Sequence, residues 1–68
     1  MTISYNKLWK LLIDKNMTKT QLRLATGITS NALAKLGKDE SVQLETLVKI
    51  CKVLDCDIGD ICSFRVEK

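Results

Sequence analysis

Small polar side chains follow a glycine-marked turn in residues 27–37, GITSNALAKLG. The apolar residues after the turn recur at intervals of three and four, so the segment is expected to form a short helix with one inward face. That inner face consists of Ala32, Leu33 and Leu36. The outer face carries Ser30, Asn31, Ala34 and Lys35.

This outer face has the side chains needed to contact base edges. The Asn31 amide pairs one donor with one acceptor, which matches the edge of adenine, and Ser30 can bond almost any base. Lys35 can reach a guanine or a phosphate, and Ala34 can contact the methyl group of thymine. A face this short could lie in a DNA major groove about 12 Å wide. The alternative is an ordinary solvated surface helix.

Local signals place a second helix directly before this one. Thr18 begins a capping box with Gln21, so that helix is expected to start at Lys19 and to end at Gly27, a residue suited to the left-handed conformation. Thr29 is expected to cap the next helix by accepting from backbone N–H groups. A helix, a tight turn and a second helix at this spacing form a helix-turn-helix unit.

Charge is divided unevenly along the chain. Residues 1–38 hold seven bases against one acid, a net charge of +6, and residues 39–68 hold four bases against seven acids, a net charge of −3. A basic half favours an anionic partner such as DNA, although a merely solvated basic face would look similar. Lys19, Thr29 and Lys38 are the candidates for phosphate contact, with Lys19 at the positive end of its helix.

The remaining segments predict a bundle of short helices. A first helix is expected from a Ser4 cap to about residue 16, with an apolar stripe formed by Tyr5, Leu8 and Leu12 and with Trp9 beside it. A polar linker over residues 37–43 leads to a helix over residues 44–54. We expect its inward stripe to consist of Leu44, Leu47, Val48, Cys51 and Leu54.

The chain ends are expected to be extended. Asp57 should cap a last short helix that includes Ile58 and Ile61. Residues 2–4 and 63–66 could pair as a small two-stranded ladder, within one chain or between two copies, with Phe64 and Val66 on one face.

Size and composition limit the function classes. With 68 residues the chain is expected to form one domain over residues 1–68, too small for a deep enzymatic cleft, and no enzymatic activity is expected. No apolar run approaches the roughly 20 residues that cross a bilayer and no signal peptide is evident, so a cytoplasmic protein is expected.

The three cysteines, Cys51, Cys56 and Cys62, occur without histidine and without a CxxC pair. They are expected to be core or near-core thiols rather than metal ligands, since a zinc site normally takes four ligands. No cofactor and no small-molecule effector is expected.

The placed residues resemble the Cro/CI-type (XRE-like) helix-turn-helix family of bacterial and phage regulators from about residue 8 to residue 61. The resemblance rests on Leu22 five residues before Gly27, on the GIT turn, on Leu33 and Leu36, and on the closing LETLVKICKVLDCDIGDI. A compact branch of these regulators also carries KLW near its start and LAKLGK after its turn. Lys19 and Arg23 stand where the family usually has Gln and Ala.

The resemblance implies an all-α, five-helix, lambda-repressor-like bundle that binds operator DNA, usually as a homodimer, with the third helix in the major groove. It therefore implies a sequence-specific regulator of transcription. The alternative from another class is a protein-interaction module, such as an antitoxin-like or anti-repressor partner, that binds protein through its acidic second half.

Overall fold

The computed structural model describes residues 2–66, apart from the side chain of Arg65. The described chain contains four α-helices: α1 (Asn6–Asp14), α2 (Lys19–Thr26), α3 (Ser30–Gly37) and α4 (Leu44–Leu54). A 3-10 turn follows at Ile58–Asp60. Two short strands, β1 (Thr2–Ser4) and β2 (Ser63–Arg65), form a small sheet. The fold is mostly helical. Glu67 and Lys68, which were included in the net charge of residues 39–68, lie outside the described residues.

The predicted signals at the ends of α2 are confirmed. The Gln21 backbone N–H donates to Thr18 Oγ1 at 3.1 Å, and the Thr18 N–H donates to Gln21 Oε1 at 2.8 Å, which completes the capping box. Gly27 ends the helix with φ at +73°, in the left-handed region, while its N–H donates to the Arg23 carbonyl oxygen at 2.9 Å. These short-range contacts fix the length of α2 at about two turns.

Helix α1 differs from the prediction at both ends. Its N-cap is Tyr5 rather than Ser4, although the Ser4 hydroxyl accepts a long hydrogen bond of 3.4 Å from the Asn6 N–H. The helix ends at Asp14, not near residue 16, because Asn16 adopts a left-handed φ of +54° that a continuing helix does not allow.

One hydrophobic core joins all four helices, the turn after α2 and the segment after the 3-10 turn. The predicted α1 stripe of Tyr5, Leu8 and Leu12 is buried, as is Leu36 of α3. Ala32 and Leu33 are only half-buried and pack against the edge of this core. The buried set is Tyr5, Leu8, Leu12, Leu22, Ile28, Leu36, Leu47, Ile50, Leu54, Ile61 and Cys62.

Helix α4 is rotated relative to the predicted stripe. Leu44 and Val48 are 63% and 38% exposed, whereas Ile50, which the prediction left out, is fully buried. Apolar residues occur almost all around this helix, so periodicity alone does not determine which of them face the core. In α2, the burial of Leu22 sets the orientation of this short helix, and Ala25, three positions further on, is exposed.

The fifth helix of the prediction is only a single 3-10 turn at Ile58–Asp60. Its start is held by the Asp57 N–H, which donates to Asp60 Oδ2 at 3.0 Å. The chain must bury Ile61 and Cys62 directly afterwards and then enter β2, so no room is left for a longer helix. The five-helix count is therefore not confirmed.

The chain ends pair within one chain. Strands β1 and β2 are antiparallel, with Thr2 opposite Arg65 and Ile3 opposite Phe64. Ile3 packs against the core, whereas Phe64 and the following Val66 are 59% and 78% exposed. Across residues 2–66, no helix has the length and apolar character needed to cross a membrane.

Candidate nucleic-acid interface

The turn between α2 and α3 is held on its inner side. Ile28 is only 5% exposed and fastens the turn to the core. Thr26 Oγ1 donates to the Leu22 carbonyl oxygen at 2.7 Å and also accepts a long hydrogen bond from the Ile28 N–H. Thr29 then caps α3, since its Oγ1 accepts from the Ala32 N–H at 3.1 Å. The α2–turn–α3 geometry thus follows from local hydrogen bonds and one buried anchor.

The outer face of α3 matches the predicted set. The fully buried Leu36 fixes the helix from behind. All four predicted base-reading residues are exposed: Ser30, Asn31, Ala34 and Lys35. Asn31 lies in the first turn of α3, two residues after the capping Thr29. Its amide is therefore at the N-terminal end of the helix. The exposed face offers hydrogen-bond donors, acceptors and a cation to a ligand, and the opposite face of the helix packs against the core.

A groove runs between α3 and the start of α4. On the α3 side it is lined by Thr29, Asn31 and Lys35, so the structure brings one predicted phosphate candidate together with two predicted base-reading candidates. Ser30 and Ala34 are not part of this lining, although they are exposed on the same helix. The α4 side contributes Gln43, Glu45, Thr46 and Lys49.

Sequence reasoning missed the α4 side of the groove. Helix α4 was interpreted only as a core element, yet its first turns present polar residues toward the same groove as Asn31. Lys49 adds a second cation opposite Lys35, whereas Glu45 adds one negative charge. The i, i+3 spacing of Gln43, Thr46 and Lys49 was the available signal, because that spacing places polar side chains on one helix face.

The remaining phosphate candidates lie apart from this groove. Lys38 is the exposed C-cap residue of α3, where a positive charge complements the partial negative charge of the helix end. Lys19 is exposed at the start of α2, and its ammonium lies over the ring of Trp9, 4.4 Å from the ring centroid. Of the predicted residues, Thr29, Asn31 and Lys35 therefore share the groove. Ser30 and Ala34 are exposed on α3 outside its lining, and Lys19 and Lys38 are two separate cationic positions.

The cysteines occupy core and near-core positions. Cys62 is buried and its Sγ donates to the Ile58 carbonyl oxygen at 3.5 Å, while Cys51 and Cys56 are half-buried. Burial raises the pKa of all three thiols, that of Cys51 to about 11, where the neighbouring Cys56 adds to the effect. Among residues 2–66 no three cysteine or acidic side chains form a cluster that could hold a metal ion.

Comparison with known proteins places this geometry in a family. Residues 7–67 match the model of the Cro/C1-type HTH DNA-binding domain. An uncharacterized HTH-type transcriptional regulator of Bacillus subtilis (strain 168), YozG, is 38% identical over 60 residues, which are 85% of this chain and 71% of that protein. The crystal structure of the transcriptional regulator VanUg superposes with a TM-score of 0.89 at 55% identity, over 91% of this chain and 83% of that one.

The match covers the α2–turn–α3 unit, the groove and nearly all of the core, so it includes every residue of the candidate interface. The chain belongs to the family of Cro/C1-type helix-turn-helix DNA-binding domains.

Proposed function

We propose that the chain is a sequence-specific, non-enzymatic DNA-binding regulator of transcription that inserts α3 into the major groove. The observation that carries this proposal is the exposed face of α3, whose base-reading groups stand opposite the buried Leu36. The two relatives, both transcriptional regulators, support the same role. In this proposal residues 1–68 act as one domain in the cytoplasm.

The base contacts are assigned from side-chain chemistry. The Asn31 amide donates to and accepts from one adenine edge, and Ser30 in the same turn bonds a neighbouring base. Lys35 donates to a guanine, and Ala34 contacts a thymine methyl group. Because base contacts in helix-turn-helix proteins come from the N-terminal residues of the second helix, Asn31 is the residue expected to contribute most to specificity.

Phosphate contacts fix the register of the helix on the duplex without reading sequence. Lys19 and Lys38 supply positive charge at the start of α2 and at the end of α3, and the hydroxyl or backbone of Thr29 completes the set predicted from sequence. We add Lys49, because it lines the same groove as Asn31 and its ammonium would reach the flanking DNA backbone. Each lysine that neutralises a phosphate should contribute about one unit to the salt dependence.

We further propose a homodimer on DNA. One short reading helix contacts few base pairs, and two copies double both the contacts and the charge. The exposed Phe64 lies in β2 and the exposed Val66 directly follows it, and edge strands of this kind can template the joining of subunits. Sedimentation of the free protein and of its DNA complex tests this state, and a monomer under both conditions would contradict it.

Titration with random duplex DNA at about 50 and about 200 mM salt tests the DNA-binding function. We expect an affinity that falls steeply with salt, together with enrichment of a defined sequence from a random duplex pool. No salt-dependent affinity would contradict the proposal and would favour a module that binds protein.

A further inference from the structure

The single tryptophan of the chain, Trp9, lies beneath the ammonium group of Lys19. The distance of 4.4 Å from Lys19 Nζ to the ring centroid lies within the roughly 6 Å over which a ring face attracts a cation. Trp9 is half-buried and packs against the core, whereas Lys19 is exposed. A ring fixed in α1 therefore holds a flexible cationic side chain that begins α2.

We propose that Trp9 is a positioning residue for DNA binding, which holds the Lys19 ammonium at the start of α2 in the place where it meets a phosphate. This inference rests on the proposed function. A free lysine side chain has many rotamers, so ordering it on binding costs free energy. An ammonium that is already held in place before binding avoids part of this cost. The ring engages one side of the ammonium, so the remaining N–H groups are left for a phosphate oxygen.

Local structure gives Lys19 no other evident role. The capping of α2 is already supplied by Thr18 and Gln21, so Lys19 is not needed to start the helix. A lysine in the first turn is electrostatically unfavourable, because the helix N-terminus is itself partially positive. The Lys19 ammonium and the partially positive N-terminus of α2 attract an anion together. While no anion is bound, the stack on Trp9 offsets the repulsion between these two groups.

A double-mutant cycle with Trp9→Leu and Lys19→Ala tests the inference. Trp9→Leu should weaken binding to random and preferred duplexes alike, about threefold or ~0.7 kcal/mol, with an unchanged salt slope, since Lys19 still neutralises its phosphate. In the Lys19→Ala background the same change should cause no further loss. Trp9→Phe, which keeps a smaller ring face with a weaker attraction for a cation, should recover part of the affinity. An equal loss in both backgrounds would show that Trp9 acts only through packing and would overturn the inference.

The emission of Trp9 gives a readout without DNA. Lys19→Ala should shift this emission. Lys10→Ala is the control, because it removes an equal charge from a different surface depression, next to Leu54 at the end of α4, and should leave the emission unchanged. Identical spectra for the wild-type protein and Lys19→Ala would overturn the stack itself.

Circular dichroism must first confirm that each variant folds. If Trp9→Leu does not fold, Trp9→Tyr and Trp9→Phe take its place, and binding should fall from Trp to Tyr to Phe only when Lys19 is present. A flat series would overturn the inference. If the wild-type protein shows no salt-dependent binding, the proposed function and this inference are both overturned. If the wild-type protein binds DNA but the effect of Trp9 does not depend on Lys19, the inference alone is overturned.

Discussion

The Tyr5 hydroxyl donates a hydrogen bond of 2.8 Å to the carbonyl oxygen of Glu40, 35 positions further along the chain. The Tyr5 backbone N–H also donates to Asp39 Oδ1 at 3.2 Å, so one residue at the start of α1 holds the loop that follows α3. Tyr5 is fully buried, and burial raises the pKa of its phenol. The C-terminal end of α3 is thereby attached to the core.

Removal of this hydroxyl should loosen the end of α3. Tyr5→Phe keeps the buried ring and leaves the Glu40 carbonyl without its partner, so we expect a loss of about 0.5–1.5 kcal/mol in the free energy of unfolding. Urea denaturation monitored by circular dichroism measures this loss. An unchanged midpoint at an unchanged slope would mean that water replaces the hydroxyl without cost.

Replacement of Gly27, which adopts a left-handed conformation, should lower the free energy of unfolding. No atom lies within 4 Å of a Cβ added there, so the cost of Gly27→Ala comes from its φ of +73° and should be about 1–2 kcal/mol. Gly37→Ala is the matched control, because it meets equally open space at the end of α3 without a positive φ and should be neutral or stabilising. Thermal denaturation of both variants compares them, and equal destabilisation would contradict the backbone explanation.

The buried thiols should make stability depend on alkaline pH. The pKa of Cys51 is raised to about 11 from 9.0, so the neutral thiol favours the folded state. This contribution is complete below about pH 9 and is lost as the pH rises toward 11. We expect the wild-type melting temperature to fall more steeply between pH 9 and pH 11 than that of Cys51→Ala. Parallel curves for the two proteins would contradict the assignment.

The same thiols should be dispensable for DNA binding, because none of them lines the groove between α3 and α4. Cys51→Ser should destabilise the fold, since it places a poorly satisfied hydroxyl at the edge of the core. Filter binding of Cys51→Ser and Cys56→Ser at low temperature, where both remain folded, should give wild-type affinity. A large loss of affinity in a folded variant would assign the thiols a role at the interface.

The sequence predicts well what neighbouring residues determine. The Thr18–Gln21 capping box, the left-handed Gly27 and the Thr29 cap depend on contacts within three or four positions, and the structure has all three. The inward face of α4 depends on packing against distant helices, and it was predicted wrongly for Leu44 and missed for Ile50. An apolar helix offers several possible faces, and only the tertiary structure selects one.

The candidate interface divides in the same way. The exposure of the α3 outer face follows from its own periodicity and agrees with the structure. The groove joins residues of α3 to residues of the α4 side that are eight or more positions further along the chain, and the stack joins Lys19 to Trp9, ten positions away. No pattern within one helix shows either contact. Lys49 was missed for this reason, although its polar spacing with Thr46 was visible in the sequence.

A phosphate contact and a base contact should differ in their salt dependence. Lys19→Ala should weaken binding to preferred and random DNA by similar factors and should lower the slope of log affinity against log salt by about one unit. Titrations at four salt concentrations on both duplexes measure the slope. A loss confined to the preferred duplex would mean that Lys19 contacts a base instead.

The most direct test of base reading by α3 is the affinity of Asn31→Ala for the preferred duplex and for random DNA, measured side by side. Asn31 is exposed at the start of α3, and its amide can satisfy both polar atoms of one adenine edge. We expect a loss of about 1–3 kcal/mol on the preferred duplex and almost none on random DNA. Equal losses on both duplexes would contradict base reading by α3.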